Sequence, residues 1–416
     1  MRARKASLRL LFAMRILRMF AYGMLGVVLV LYLVEVGLEP ARVGLLLALT
    51  FLGDAAISLW LSTRADRWGR RRTLVAGAVL MAAGGFAMAA TGDFLLLLVA
   101  ATIGVISPTG NEVGPFLAVE QACLAQVIDD RDRTRVFAWY NVAGFTATAL
   151  GALVSGVLAE GLQQAGWNTL DSYRMLFVAY GMAGGTIGMM CTRLNASVEA
   201  PPLVSRASAG PVAALLGLHE SRGLVLRLGA LFSLDAFAGG FIVQSFLVFW
   251  FHRKFGVGEA ALGGVFLGTN LLSGLSALMA VPLARRIGLV NTMVWTHLPS
   301  NLLLMCVPLM PTFGWTVVML LVRHVISQMD VPTRQSYVNA VVPASERSAA
   351  NGVTGTARQF GVSLAPLCAG PLLASATLAG APFLICGALK IVYDLALWRA
   401  FRKVKPPEEK TGAGPA

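Results

Sequence analysis

Ser62-Thr63-Arg64-Ala65-Asp66-Arg67-Trp68-Gly69-Arg70-Arg71-Arg72 lies between two apolar runs, residues 42–65 and 72–91. Each run holds roughly 20 residues, enough to cross a hydrocarbon core about 30 Å thick. Backbone polar groups cannot stay unpaired in lipid, and no strand-like alternation is present, so the runs read as membrane-spanning helices. The same pattern of apolar run and loop continues along the chain. The expected spans are 10–34, 42–65, 72–91, 94–127 (broken), 134–160, 172–192, 224–251, 259–283, 289–309, 314–341, 346–375 and 380–400. Composition agrees: 56% of residues are hydrophobic and 13% charged, against about 25% charged in a soluble domain.

The net charge of +13 could suggest a nucleic-acid partner, but its placement argues against one. Basic clusters recur in every second loop: Arg67 with Arg70 to Arg72, Arg131 to Arg135, Arg285 with Arg286, and Arg347. The linker after span six and the tail after span twelve are basic too, and the opposite loops are short and poor in Lys and Arg, apart from His252-Arg253-Lys254. That is the positive-inside pattern, and it puts both termini in the cytoplasm of a multi-pass protein, read as bacterial inner membrane. The apolar run behind the basic start is too long for a signal peptide and reads as a retained first helix. The 5 cysteines sit in apolar segments without a C-x-x-C pair, which gives no disulfide framework, metal site or cofactor. The bilayer is the partner this pattern implies, with the chain read as a monomer.

The two halves resemble each other. Gly37, Gly44 and Gly69 match Gly256, Gly263 and Gly288 at one offset, and Gln121, Arg133 and Gly156 match Gln335, Arg347 and Gly370 at another. A duplicated six-helix unit explains both. The stretch from Glu199-Ala200-Pro201-Pro202 to Gly210-Pro211 has loop composition and separates the halves. The expected domains are 1–192 and 224–401, joined by a cytoplasmic linker 193–223 and followed by a tail 402–416.

The loop 62–72 resembles the signature of the major facilitator superfamily, G-x-x-x-D-R-x-G-R-R, with Ser62 where the family has its leading glycine. The resemblance covers nearly the whole chain. It implies an all-α fold of twelve transmembrane helices, two six-helix pseudo-repeats around a central cavity. It also implies a gating role for Asp66, Arg67, Gly69, Arg70 and Arg71, latching the cytoplasmic side. The acid would cap a helix of the other half, and the basic groups would pair with the end of helix four, where Asp129 and Asp130 stand. The Gly-Pro pair found in helix five of many drug exporters is missing: Gly144, Gly151 and Gly156 are present without a proline.

Charge inside lipid is costly, so intramembrane ionisable residues mark a solute route or a proton site by default. They concentrate on spans one, four, seven and ten, which line the cavity in the resembled fold. On span ten, Arg323, Ser327, Asp330 and Arg334 form one stripe at helical spacing, with His324, Gln328 and Gln335 beside it. Span one carries Arg15, Arg18 and Tyr22 on one face, and Asp235 on span seven aligns with Arg18 in the repeat. Span four contains Pro108-Thr109-Gly110-Asn111-Glu112-Val113-Gly114-Pro115, which cannot continue a regular helix without cost. Two half-helices joined by an unwound stretch are expected, with Asn111 and Glu112 in the break. An outer loop at 108–115 is the alternative.

These residues define the candidate site. Arg18, Tyr22, Asn111, Gln121, Gln244, Arg323, Ser327, Gln328 and Gln335 are candidates for substrate binding. Glu112, Asp235 and Asp330 are candidates for proton coupling. Glu120 and Arg334 are expected to meet as an inner gate. Asp54 is a further buried acid without an assigned partner. His219, His252 and His297 show no metal-ligand spacing. The leading function is a secondary active transporter of a small polar or anionic solute using protons. The alternative is a proton-driven exporter of amphipathic compounds, which Phe237, Phe241 and Phe246 leave open. No nucleotide loop or catalytic motif points to an enzyme or to ATP drive.

Overall fold

In the computed structural model, residues 2–112, 114–128, 133–199, 220–343, 346–404 and 406 are described. The described residues are helical, in the order α1 Arg2–Glu35, α2 Pro40–Trp68, α3 Arg70–Ala90, α4 Phe94–Ile103, α5 Phe116–Val127, α6 Arg133–Gln164 and α7 Thr169–Thr192. Then follow α8 Arg222–Gly240, α9 Gln244–Phe255, α10 Glu259–Ile287, α11 Leu289–Cys306, α12 Phe313–Ile326, α13 Asp330–Val341, α14 Arg347–Ala374 and α15 Ala381–Phe401. Taking α4 with α5, α8 with α9 and α12 with α13 as broken spans gives the twelve crossings expected. Among the described residues, eight helical stretches are long and apolar enough to cross a membrane on length and composition, Arg222–Phe255 being counted through its break.

The expected break in span four is present, and it is wider than 108–115: the chain leaves the helix after Ile103 and re-enters it at Phe116. Val105 within it has φ +54°, a left-handed conformation that a β-branched residue rarely adopts. Tyr180 on α7 holds it there by donating to the Val105 carbonyl at 2.7 Å. Spans seven and ten, expected as continuous helices, are also broken. Span seven stops at Gly240 and restarts at Gln244, after a Gly239-Gly240 pair that weakens the helix. Span ten stops at Ile326 and restarts at Asp330. Pro332 explains that break, since it has no N–H for the carbonyl four residues earlier and its ring crowds the same carbonyl.

The chain forms two compact units, Met1–Leu203 with Val243–Leu271, and Val204–Ile242 with Leu272–Ala416. The first unit therefore includes α9 and the first part of α10. Its helices approach backbone to backbone, which only glycine permits. A Cβ on Gly151 of α6 would fall 2.0 Å from the Phe20 carbonyl of α1, and one on Gly156 would fall 2.0 Å from the Glu259 carbonyl of α10. The glycine spacing of span five is thus a packing face. Small residues at helix crossings are the usual device where lipid supplies no hydrophobic drive. The second unit uses the same device between α8 and α14, where a Cβ on Gly361 would lie 2.2 Å from the Ser233 carbonyl. An apolar cluster including Phe232, Met293, Tyr337 and Leu397 fills its core.

The repeat glycines serve the turns. Gly37 and Gly256 have φ +93° and +64°, and Gly69 and Gly288 have +99° and +85°. Both matched pairs sit where one helix ends and the next begins, and both need the left-handed backbone that glycine adopts freely.

Candidate functional site

The first unit gathers its buried charges around α1. Arg15, Arg18 and Tyr22 share a face, as expected from their spacing. Arg18 is fully buried. Its Nε donates to Glu112 Oε1 at 2.8 Å, and its two terminal nitrogens donate to the Glu120 oxygens at 2.6 and 2.7 Å. Arg15 pairs with the other oxygen of Glu112, and Tyr140 of α6 donates to Glu120. Arg15 also stacks over the Tyr140 ring at 4.5 Å, and Arg18 over Phe116 at 4.5 Å. Two cations and two carboxylates thus balance within one network, with Glu112 supplied by the break in span four and Glu120 by α5. The break is anchored on α2 as well: the Gly114 N–H donates to Asp54 at 2.5 Å, and Ser58 donates to the same oxygen at 3.3 Å.

Other expected site residues of this unit are placed less centrally. Tyr22 is buried against the Tyr180 ring at 6.3 Å. Asn111 is exposed, its carbonyl accepting from Ser107 at 2.7 Å. Gln121 is half-buried on α5. Gln244 is buried, accepts from Asn270 at 3.4 Å, and keeps an amide nitrogen without a hydrogen-bond partner among the described residues. Next to it, Ser245 donates to the Pro108 carbonyl at 2.7 Å and ties α9 to the break.

The second unit has its own network, centred on Asp235 of α8. Lys390 of α15 lies 2.5 Å from it, Arg358 of α14 2.9 Å and Arg334 of α13 3.5 Å. Arg334 also pairs with Asp330, one turn back, at 2.8 Å. Behind them His297 of α11 meets Asp394 of α15 at 2.8 Å, and Asn301 donates to the second Asp394 oxygen at 3.0 Å. Arg323 and Ser327 on α12 are buried but stand outside these pairs. The Gln328 backbone N–H donates to the Ser276 hydroxyl oxygen at 3.2 Å, and Gln335 is exposed. Glu120 and Arg334, expected to meet, are each engaged by partners of their own unit in this structure.

At the loop signature, the side chains of Asp66 and Arg67, and the whole of Asp130, lie outside the described residues. What is described centres on Glu199. Its carboxylate accepts the Arg70 N–H at 2.7 Å and the Arg71 N–H at 3.2 Å, capping the N-terminus of α3. The Arg70 guanidinium donates to the carbonyls of Ala122 and Val198, both at 3.1 Å. Glu346 does the matching work in the other unit, accepting the N–H groups of Glu220 and Ser221 at 2.9 and 3.1 Å.

Sequence reasoning missed Tyr140, Glu199, His297, Glu346, Arg358, Lys390 and Asp394. A lysine and an aspartate four apart inside the last apolar run were a usable signal, since lipid tolerates neither without a partner.

The arrangement is a set of bundles with buried, mutually paired charges around helix breaks, the architecture of a membrane carrier. The sequence profile of the Major Facilitator Superfamily matches residues 11–366 and 228–415. The chain belongs to that superfamily of secondary transporters and is a multi-pass membrane protein. It is 27% identical over 417 residues to the Saccharomyces cerevisiae membrane protein YJR124C, covering 94% of this chain and 93% of the yeast protein. Among solved structures it is similar to the nucleoside transporter NupG, with a TM-score of 0.71 at 16% identity, covering 95% of this chain and 99% of that one. It is also similar to a D-xylose–proton symporter, with a TM-score of 0.73 at 14% identity, covering 98% and 97%.

Proposed function

We propose that this protein is a proton-driven secondary transporter that moves a small polar or anionic solute by alternating access. The observation that carries this is the sharing of Arg18 between two carboxylates, one of which lies in the unwound stretch of span four. Protonating Glu112 would release Arg15 and one nitrogen of Arg18 while Glu120 kept the other two. A proton would then change how the break is held, which is the link a coupled carrier needs. Asp235, shared among three cations, offers the same opportunity in the second unit, and Asp330 is the remaining coupling candidate there.

For solute binding, Gln244, Arg323 and Ser327 are favoured, because each keeps a buried polar atom without a hydrogen-bond partner among the described residues. Arg18 is better read as a coupling partner than as a substrate ligand. The loop 66–71, Glu120, Asp130 and Arg334 remain the gating set. Residues 1–192 and 224–401 are taken as the two bundles, with 193–223 and 402–416 cytoplasmic. The names of the similar carriers, for nucleosides and for xylose with protons, fit a small polar cargo and a proton. The test is proteoliposome uptake with a pH-sensitive dye inside. A panel of nucleosides, sugars and carboxylates is offered, and one of them should acidify the lumen in step with its own entry. Uptake without proton movement would refute the coupling.

A further inference from the structure

Two buried polar atoms on one face of span ten have no hydrogen-bond partner among the described residues: Nε of Arg323 and Oγ of Ser327. Arg323 is 8% exposed and Ser327 4%. Four residues apart at the end of α12, they stand side by side. Among the described residues the guanidinium has one hydrogen-bond contact, a long one from its NH1 to His324 Nε2 at 3.4 Å. The other ring nitrogen of His324 lies 2.6 Å from the Leu320 carbonyl and donates to it.

The charge balance of the second unit isolates the same residue. Lys390, Arg358 and Arg334 converge on Asp235, Arg334 also meets Asp330, and Asp394 is taken by His297. No described carboxylate lies within 4.0 Å of Arg323, so its charge has no direct ion-pair partner among the described residues. A buried charge left this way is expensive unless something arrives to pair with it.

We infer that Arg323 and Ser327 form an anion subsite, and that the solute it takes bears a carboxylate. The flat fork of a guanidinium matches a carboxylate with two parallel N–H bonds, and the Ser327 hydroxyl adds a third donor. Arg18 and Arg334 cannot serve, because protein carboxylates already occupy them. The inference rests on the transport reading above and narrows its cargo.

The test uses the full-length purified protein and its melting temperature. Sodium acetate, lactate and gluconate are compared with sodium chloride at equal ionic strength, and with acetamide and lactamide as neutral counterparts. At least one carboxylate should raise the melting temperature in a saturable way, and the amides should not. Ser327→Ala should weaken half-saturation about tenfold, the loss of one hydrogen bond to a charged group. Arg323→Gln should abolish the shift, and without ligand it should melt no lower than the parent, because an unpaired charge is gone. Arg323→Lys should keep charge but bind more weakly.

Any of four results overturns the subsite. These are no shift with any carboxylate, equal stabilisation by the amides, a shift that survives Arg323→Gln, or a ligand-free Arg323→Gln protein that melts several degrees lower. Carboxylate binding without flux of any solute in proteoliposomes would instead refute the transport reading and leave the subsite standing.

Discussion

Removing Glu120 tests how far the first unit depends on its ion network. Arg18 and Glu120 are both fully buried, and Glu120 accepts two guanidinium N–H groups and the Tyr140 hydroxyl. Glu120→Ala strands all three donors in a site that water does not reach. Breaking a buried pair from one side costs about 3–5 kcal/mol. Glu112 still holds the Arg18 Nε, which places the expected cost at the lower end, about 3 kcal/mol. For a unit of roughly 200 residues that corresponds to a fall in melting temperature of about 6–12 °C, at about 2–4 °C per kcal/mol. Glu120→Gln keeps one acceptor and should fall between. Replacing both partners, Arg18→Met with Glu120→Leu, removes the stranded charge and should recover much of the loss, because apolar pairs substitute well for buried ion pairs. The assay is thermal unfolding of the parent, Arg18→Met, Glu120→Leu and the double variant, read as a double-mutant cycle, with Glu120→Ala and Glu120→Gln measured beside them. If Glu120→Ala melts within about 1–2 °C of the parent, or if the two single losses simply add in the double variant, Arg18 and Glu120 are not coupled and the network account fails.

Three further expectations concern other parts of the fold. Glu199→Gln removes the charged cap on α3 and should cost about 0.5–2 kcal/mol; an unchanged melting temperature would show that the cap is idle. Arg70→Ala should slow transport several-fold without preventing insertion, since Arg70 joins α3 to the Ala122 and Val198 carbonyls; a normal rate would leave the loop as ordinary positive-inside charge. Gly156→Leu should separate α6 from α10, where even a Cβ would meet the Glu259 carbonyl at 2.0 Å, at a cost of about 1–3 kcal/mol; a parent-like melting temperature and rate would mean that the contact is not required.

Much of this fold was legible in the sequence because lipid imposes so few solutions. Length, apolarity and loop charge fix the spans, and constant glycine offsets reveal the duplication, since Gly37, Gly69, Gly256 and Gly288 all occupy left-handed turns. The break in span four announced itself with two prolines and two glycines. The breaks in spans seven and ten were hidden. Gly239-Gly240 reads as ordinary small-residue packing, and Pro332 acts on a carbonyl one turn away. The site was half legible. The stripes on spans one and ten named Arg18, Asp330 and Arg334, but one helix's periodicity cannot say which neighbour a charge will find. Glu120 was matched to Arg334 by repeat logic, whereas in this structure it is held by Arg18, 102 positions away in sequence. Lys390 and His297 escaped because spans nine and twelve do not line the cavity of the resembled fold, yet both reach inward to carboxylates of their own unit.

The central claim is that protons drive solute movement through buried carboxylates. It is tested most directly in proteoliposomes under an imposed pH gradient, comparing the parent with Glu112→Gln and Asp235→Asn. The account predicts that at least one variant loses gradient-driven accumulation while still exchanging labelled for unlabelled solute at equal pH. Uphill accumulation at the parental level in both variants would contradict it.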